Sequence, residues 1–205
     1  NGNNTAVGSN SQVAATTGEF NTSLGSLSMG VGVTTGGENT AVGYQAGEDL
    51  TSGTRNSLVG SYAGLQLTSG HYNVAMGYGA LGTEDTHSAN VAIGYSALGT
   101  LNAGADAFNT AVGFSAGVAM TTGVGNTILG GLAGDALTTG AHNVAIGYEA
   151  LGAEDVGGKN VAIGRRALKV LDGVADGFNT VIGYEAGDAV SSGDENTIIG
   201  ANTGG

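Results

Sequence analysis

A five-residue motif that recurs every 17 to 19 residues constrains this chain more than any other feature. The motif begins with Asn and is typified by NTAVG at Asn39. It starts at twelve places: Asn4, Asn21, Asn39, Asn56, Asn73, Asn90, Asn109, Asn126, Asn143, Asn160, Asn179 and Asn196. A fixed short period along a whole chain is the signature of a repeat architecture. The Asn of each repeat is numbered position zero, and the later residues of the repeat are counted from it.

The residues of the motif predict a short β-strand. Position three is always aliphatic or Met and position one is Thr, Ser or Val, so the odd positions form an apolar strand face. Glycine makes up 41 of 205 residues, too many for helix interiors, where each costs about 1 kcal/mol relative to alanine. Repeats of 17 residues suit the coils of a solenoid. We therefore predict an all-β fold, a parallel β-solenoid or β-roll of about twelve 17-residue coils.

Position two makes the second face of the strand apolar as well. It is Ala in most of the repeats from Asn39 onward and a larger aliphatic residue in the others. A strand with two apolar faces is expected to be buried on both sides. We therefore expect position three to face the coil interior and position two to face another protein surface, most simply a second copy of the chain.

The Asn and Gly of the motif are interpreted as structural. Position four is Gly in all twelve repeats, which predicts a bend or a close approach of two backbones. The Asn side chain can stack as an amide ladder or bond to its own backbone at a turn. These structural columns include Asn39, Gly43, Asn73, Gly77, Asn109, Gly113, Asn143 and Gly147.

A longer period of 70 residues lies above the short one, because the spacings of 17, 17, 17 and 19 that follow Asn39 recur after Asn109, and Asn179 opens the next block. We interpret residues 39–205 as a regular β-solenoid with this four-coil super-repeat and residues 1–38 as irregular first repeats of the same continuous, elongated unit. Within a block, position eight is Gly in the first two repeats and Leu in the next two. In the first two repeats the large apolar side chain is at position eleven instead. The core is therefore expected to be filled from two different positions in alternate pairs of coils.

Parts of the chain resemble two known groups of fibrous proteins. The strings NVAIGYSALG from Asn90 and NVAIGYEALG from Asn143 resemble the head repeats of trimeric autotransporter adhesins, and NTAVGYQAGEDLTSG from Asn39 is similar to repeats of bacteriophage tail fibres. This resemblance covers nearly the whole chain. It implies a left-handed parallel β-roll built from three chains that serves adhesion or a fibre shaft. The adhesin head repeat is typically shorter than this one, which implies a larger coil or a longer loop here. Neither group places a catalytic residue in this unit.

Aromatic residues share position five in six repeats, five of them tyrosines: Tyr44, Tyr78, Tyr95, Tyr148 and Tyr184, with Phe114 as the sixth. Stacked rings on a solenoid can form a receptor platform, because flat rings suit the apolar faces of sugars. Cross-strand packing is the commoner role of such rings. The five tyrosines are therefore the candidate platform for a cell-surface glycan or protein receptor.

The acidic loops, such as Glu84-Asp85 and Glu154-Asp155, raise the question of Ca²⁺ binding through oxygen ligands. The calcium nonapeptide pattern GGxGxD is absent, and the acidic positions shift between repeats. Solvated loops are the favoured interpretation, and no cofactor is predicted.

The sequence predicts no metal site or catalytic centre. There is no cysteine. His71, His87 and His142 lie at different distances before the next Asn. They form no column, which argues against a metal site or catalytic base built from them. No nucleophile elbow, P-loop or paired-carboxylate motif occurs.

The net charge of −12, from 5 basic and 17 acidic residues, disfavours nucleic acid and anionic membranes as partners. No apolar run approaches transmembrane length, so no membrane insertion is expected in this segment. The composition suits a soluble extracellular surface.

Two local features give positional tests of the predicted coils. Arg165 falls in the aromatic column, beside the tyrosines of the neighbouring coils, and Arg166 falls at position six, between the glutamates of those coils. Phe108 and Phe178 recur in equivalent long loops. Their rings are expected to fold back over the end of the coil, as large apolar side chains do when burial is available.

These observations favour a non-enzymatic structural and adhesive segment of an extracellular fibre, in a phage tail fibre or a bacterial surface adhesin, assembled as a homotrimer. Two alternatives stay open. One is a single-chain solenoid that polymerises end to end into an extracellular filament. The other is a glycan-active tail-spike enzyme, which would need paired carboxylates in a groove.

Overall fold

The computed structural model describes residues 2–14, 16–104, 106–154, 156–172 and 176–204. In them the chain forms a parallel β-solenoid of about 11 turns with coils of about 17 residues. The strands of three residues are Thr5–Val7 (β1), Thr22–Leu24 (β2), Thr40–Val42 (β3), Ser57–Val59 (β4), Val74–Met76 (β5), Val91–Ile93 (β6), Thr110–Val112 (β7), Thr127–Leu129 (β8), Val144–Ile146 (β9), Val161–Ile163 (β10), Thr180–Ile182 (β11) and Thr197–Ile199 (β12). The all-β solenoid prediction is confirmed.

The strands form one parallel sheet in chain order, and the motif sets the register of every pair. Thr40 lies opposite Ser57, so position one of one coil meets position one of the next. The same register holds across a 19-residue repeat, where Val91 lies opposite Thr110. The extra residues of the longer repeats therefore lie in loops outside the sheet. In the described ranges, no helix has the length and apolar character needed to cross a membrane.

Residues in the left-handed backbone region turn the chain at three recurring places in a coil. In the coil that starts at Asn39 these are Gln45, with φ of 54°, Gly47, with φ of 55°, and Arg55, with φ of 59°. A non-glycine residue in this region is uncommon and carries a local cost. The same three turns recur in successive coils, so each turn is held in place by the equivalent turns stacked on it.

The glycine at position four has no room for a side chain. Gly60 has φ of 136°, and a Cβ built on it would lie 2.5 Å from the carbonyl oxygen of Gly77 in the next coil. The equivalent glycines, including Gly43, Gly77, Gly113 and Gly147, also have positive φ, and a Cβ on each would meet the backbone of the following coil. Only glycine lets the bends of successive coils stack at this distance.

The asparagines at position zero form a buried ladder. The side-chain oxygen of Asn39 accepts hydrogen bonds from the backbone N–H and the side-chain amide of Asn56, both at 3.0 Å. The amide of Asn39 also donates to the carbonyl oxygen of Gly53 at 2.8 Å, near the end of the same coil. The backbone contact recurs where the side-chain oxygens of Asn73, Asn109 and Asn143 accept from the N–H of the next Asn. These asparagines thus join successive coils, and Asn39 also closes its own coil.

Position two faces the coil interior, and the expected assignment of the two strand faces is wrong. Ala75, Ala92 and Ala145 are fully buried within the single chain. Position three is half-buried or exposed, as at Ile146 and Met76. The physical reason is competition for the interior of the coil. The alanine column at position seven and the large residues at positions eight and eleven, such as Leu81 and Leu101, are also fully buried, so they supply the volume of the core and position two is mostly a small residue.

The core is filled from different positions in successive coils. Leu58, at position two, occupies the space beside two glycines at position eight, because a Cβ on Gly47 or Gly64 would lie 2.7 or 2.8 Å from its methyl carbons. In the next two coils, position eight itself supplies the buried Leu81 and Leu98. The source of the buried side chains therefore changes from coil to coil, so that each coil has large residues in its interior, as dense packing requires.

Candidate functional site

A row of apolar side chains, which we call the outer stripe, follows the outer face of the sheet. It consists of the position-three side chains: Val7, Leu24, Val42, Val59, Met76, Ile93, Val112, Leu129, Ile146, Ile163, Ile182 and Ile199. Successive side chains of a strand point to opposite faces, so these residues lie outside when position two lies inside. Met76 is 41% exposed and Leu129 is 46% exposed. The outer stripe carries no charged residue, although the chain as a whole carries a net charge of −12.

The five candidate tyrosines are all exposed. Tyr44, Tyr78, Tyr95, Tyr148 and Tyr184 have exposed fractions between 44% and 51%. Three neighbouring rings in this column are stacked. The Tyr78 and Tyr95 centroids are 5.4 Å apart with planes 7° from parallel. The Tyr95 and Phe114 centroids are 5.2 Å apart.

Tyr62 extends this column, although it lies at position six and not at position five. Its ring meets Tyr44 edge to face at 5.4 Å and Tyr78 at 5.3 Å. Five successive coils therefore carry aromatic rings in one continuous row, which we call the aromatic row: Tyr44, Tyr62, Tyr78, Tyr95 and Phe114. The neighbouring coil has Gly131 at position five, so the row ends there. Sequence reasoning missed Tyr62 because it compared only residues at identical positions.

A shallow groove of 340 Å³ opens beside the aromatic row. Its walls include Tyr62 and Tyr78, and Gly79, Gly82 and Gly99 lie along it. The groove exists because these glycines leave no side chain in their coils. Leu65, Gln66 and Thr83 complete the lining. Ring faces with a few polar groups at the edge suit a small amphipathic ligand such as a sugar.

The basic cluster lies among the glutamates, as its coil positions predict. Arg166 Nη1 is 2.9 Å from Glu185 Oε1, and Arg166 Nε is 3.7 Å from Glu149 Oε2. Arg165 donates to the hydroxyl of Tyr184 at 2.9 Å, and its guanidinium carbon lies 5.4 Å from the centre of that ring. Both arginines therefore pair with carboxylates of the chain, and the positional prediction for Arg166 is confirmed.

The pKa of Glu149 is lowered by its contacts with neighbouring side chains, first among them a lysine. Lys169 Nζ donates to Glu149 Oε2. This hydrogen bond, followed by one from Tyr148, lowers the pKa of Glu149 from its ordinary value of 4.5. The pKa of Tyr148 is raised, chiefly because its hydroxyl donates to Glu149. The ionised carboxylate is thus the favoured form in the folded chain.

The long-loop phenylalanines do not fold back over the coil. Phe108 is 66% exposed and Phe178 is 53% exposed, so the expectation for both rings is wrong. Each residue lies directly before an Asn in the left-handed region, with φ of 50° and 47°. The corner directs the side chain outward, where Lys159 Nζ lies 4.9 Å from the centre of the Phe178 ring.

The acidic loops contain buried carboxylates. Glu84 and Glu154, both at position eleven, are fully buried. Within the described ranges, Glu84, Asp85 and His87 are the one group of three ligand-type side chains whose donor atoms lie within 4.8 Å of one another. Asp155 lies outside the described residues. Sequence reasoning compared the histidines with one another and missed the contact of His87 with its own loop.

Comparisons of the chain with protein families, with curated proteins and with solved structures found no match.

Proposed function

We propose that this chain is a non-enzymatic structural and adhesive segment of an extracellular fibre, and that three copies associate through the outer stripe. The observation that carries the proposal is the unbroken apolar character of that stripe on all twelve strands. Monomeric soluble proteins rarely leave large contiguous apolar patches exposed, and such patches mark interaction sites. The stripe is a row of partly exposed aliphatic side chains spaced by the strand separation, about 4.8 Å.

Charge also favours self-association through this face. Each copy carries a net charge of −12, so contact through an average part of the surface would bring like charges together. Position one contributes only Thr, Ser and Val, and position three only aliphatic residues and Met. The strand face is therefore a place where two copies can approach without desolvating a charge. The number three comes from the resemblance to trimeric fibre repeats.

The adhesive part of the proposal rests on the aromatic row. Tyr78 presents an exposed ring in the wall of the groove, and the exposed ring of Tyr95 stacks on it. Aromatic side chains supply large contact areas with a polar end, which suits recognition of glycan or protein surfaces. A receptor would be held by ring contacts, with Gln66 and Thr83 at the edge of the groove.

Mass in solution tests the assembly. Sedimentation equilibrium of the intact chain should give three times the subunit mass of 19.8 kDa. The double variant Ile146→Glu, Ile163→Glu should give the mass of one chain, because it places charges on the outer stripe of β9 and β10. The control Thr122→Glu, at an exposed loop position, should keep three chains. Circular dichroism checks that all three proteins are folded.

Other outcomes separate the alternatives. A single-chain mass for the wild-type protein would overturn the trimer. A mass that rises without limit as concentration increases would favour end-to-end filaments. Release of reducing ends from bacterial surface glycans, abolished by changing one pair of acidic residues, would favour a tail-spike enzyme.

A further inference from the structure

One buried carboxylate stands where the neighbouring coils have a hydrocarbon side chain. Position eleven is Leu67 in one adjacent coil and Leu101 in the other, and both are buried. In the coil between them the residue is Glu84, with an exposed fraction of 0%. A buried ionised carboxylate is costly unless its oxygens are paired. The surroundings of Glu84 must therefore supply positive charge or hydrogen bonds.

His87 supplies only part of that compensation. Glu84 Oε1 accepts a hydrogen bond from the backbone N–H of His87 at 3.2 Å and lies 2.6 Å from His87 Nδ1. Glu84 Oε2 is buried and has no hydrogen-bond partner. Asp85 Oδ1 is also buried without a partner, 3.9 Å from the same His87 nitrogen. Two orphaned carboxylate oxygens thus belong to a cluster built around one imidazole nitrogen.

The equivalent turn of the next block shows which contact is structural. Glu154 is also buried, and its Oε1 accepts from the backbone N–H of Gly157 at 2.7 Å. Gly157 stands where His87 stands in the first block. A buried Glu that accepts the N–H three residues later therefore forms this turn without an imidazole. The His87 side chain is an addition to the turn and not a requirement of it.

We propose that Glu84, Asp85 and His87 form a binding site for one divalent transition-metal ion of the Zn²⁺ class. Their donor atoms lie within 4.8 Å of one another. At metal–ligand distances of about 2.0–2.2 Å, the ligand atoms of a tetrahedral site are separated by about 3.3–3.6 Å. The 2.6 Å and 3.9 Å separations at His87 Nδ1 bracket that range. Shifts of about 1 Å would bring the donors to this spacing.

The donor set selects the class of metal. Imidazole nitrogen suits Zn²⁺ and its neighbours in the first transition row, whereas Ca²⁺ takes oxygen ligands. A dication also balances the two carboxylate charges. The side chain of His87 is 14% exposed and that of Asp85 is 44% exposed, so the site opens to solvent beside Asp85. Water would complete the coordination, and all three protein ligands belong to one chain.

Calorimetric titration of the intact chain with ZnCl₂ in a metal-free buffer tests the site. One ion per chain is expected for the wild-type protein. His87→Gln should weaken binding by at least about tenfold, since even the loss of an outer contact costs a metal site that much. Glu84→Gln should do the same while its amide oxygen still accepts the His87 N–H. His142→Gln, at an exposed histidine, should bind as the wild type does.

A second readout guards against variants that fold poorly. His87→Gly copies the residue found in the equivalent turn of the next block, and circular dichroism should show an intact solenoid that has lost the high-affinity site. Visible absorption of the Co²⁺-loaded wild-type chain should show ligand-field bands that His87→Gly abolishes. Absence of stoichiometric Zn²⁺ binding to the wild type, or equal affinity in the folded His87 variants, would overturn the site and leave Glu84 and His87 as an ion pair only.

Discussion

The side-chain oxygen of Asn39 accepts two hydrogen bonds from Asn56 in the next coil, one from its backbone N–H and one from its side-chain amide, each at 3.0 Å. Both residues are buried. A buried amide with all its partners present stabilises one conformation, because loss of any member leaves others unsatisfied. The ladder therefore fixes where each coil starts relative to the previous one, which the short strands of three residues would do weakly alone.

Asn56→Ala should destabilise the solenoid by roughly 3 kcal/mol, because it removes the side-chain hydrogen bond to the Asn39 oxygen and leaves the Gly70 carbonyl and the Asn73 N–H without their partner. Urea unfolding followed by circular dichroism measures the effect. Asn102→Ala, at an exposed asparagine, is the control and should change stability by less than about 0.5 kcal/mol. Equal midpoints for the two variants would mean that the ladder contributes little.

Gly60→Ala should prevent normal coil stacking. The new Cβ would lie 2.5 Å from the Gly77 carbonyl oxygen, at a backbone φ of 136° that alanine rarely adopts. We expect a loss of about 3 kcal/mol or more, or insoluble protein, judged from expression and urea unfolding. Gly131→Ala is the matched control, since its Cβ would meet its nearest atom at 3.7 Å. A Gly60→Ala protein as stable as this control would contradict the proposed steric role.

The sequence alone predicted the strands and their register, because the Asn and Gly of each motif recur at fixed positions. It did not predict which strand face lies inside. Alternation defines two faces, but Ala92 and Ile93 are both apolar. The choice between them depends on what else fills the coil. Leu98 and Leu101 are already fully buried in the same coil, so the smaller Ala92 faces the interior and Ile93 faces outward.

Contacts between coils were predictable where they followed from register alone, as for Arg166 and Glu185. Contacts inside one turn were not. Glu84 and His87 meet because the turn folds back on itself, and a comparison of columns does not address this. A signal was present, since Glu84 replaces a leucine of the neighbouring coils and His87 follows three residues later. The expectation for the Phe108 ring was wrong for a similar reason, because the left-handed backbone at this residue sets the direction of its side chain.

Lys169→Met should raise the pKa of Glu149 back toward 4.5, because the Lys169 hydrogen bond is the main cause of its lowering. A carboxylate with a lowered folded-state pKa stabilises the fold above its unfolded-state pKa, and this contribution is lost as pH falls through the folded-state value. The contribution of Glu149 is therefore lost below pH 4.5. Carbon-detected NMR titration of the Glu149 carboxyl measures the shift.

Lys159→Met is the control for this titration, because Lys159 pairs with Asp176 at 2.6 Å and not with Glu149. Its removal should leave the Glu149 titration curve unchanged. If Lys169→Met and the control give the same curve as the wild type, the pairing of Lys169 with Glu149 is not formed in solution.

Gly131→Tyr should extend the aromatic row and stabilise the chain. Gly131 occupies position five between Phe114 and Tyr148, and no positive φ or close backbone contact blocks a side chain there. Aromatic pairs contribute about 0.5–1.5 kcal/mol beyond the area that they bury. Gly131→Ala isolates the backbone effect, about 0.4–1 kcal/mol from the reduced entropy of the unfolded chain. Urea unfolding should rank the tyrosine variant above the alanine variant and both above the wild type. A tyrosine variant no more stable than the alanine one would show that the rings of the row are neighbours without stabilising contact.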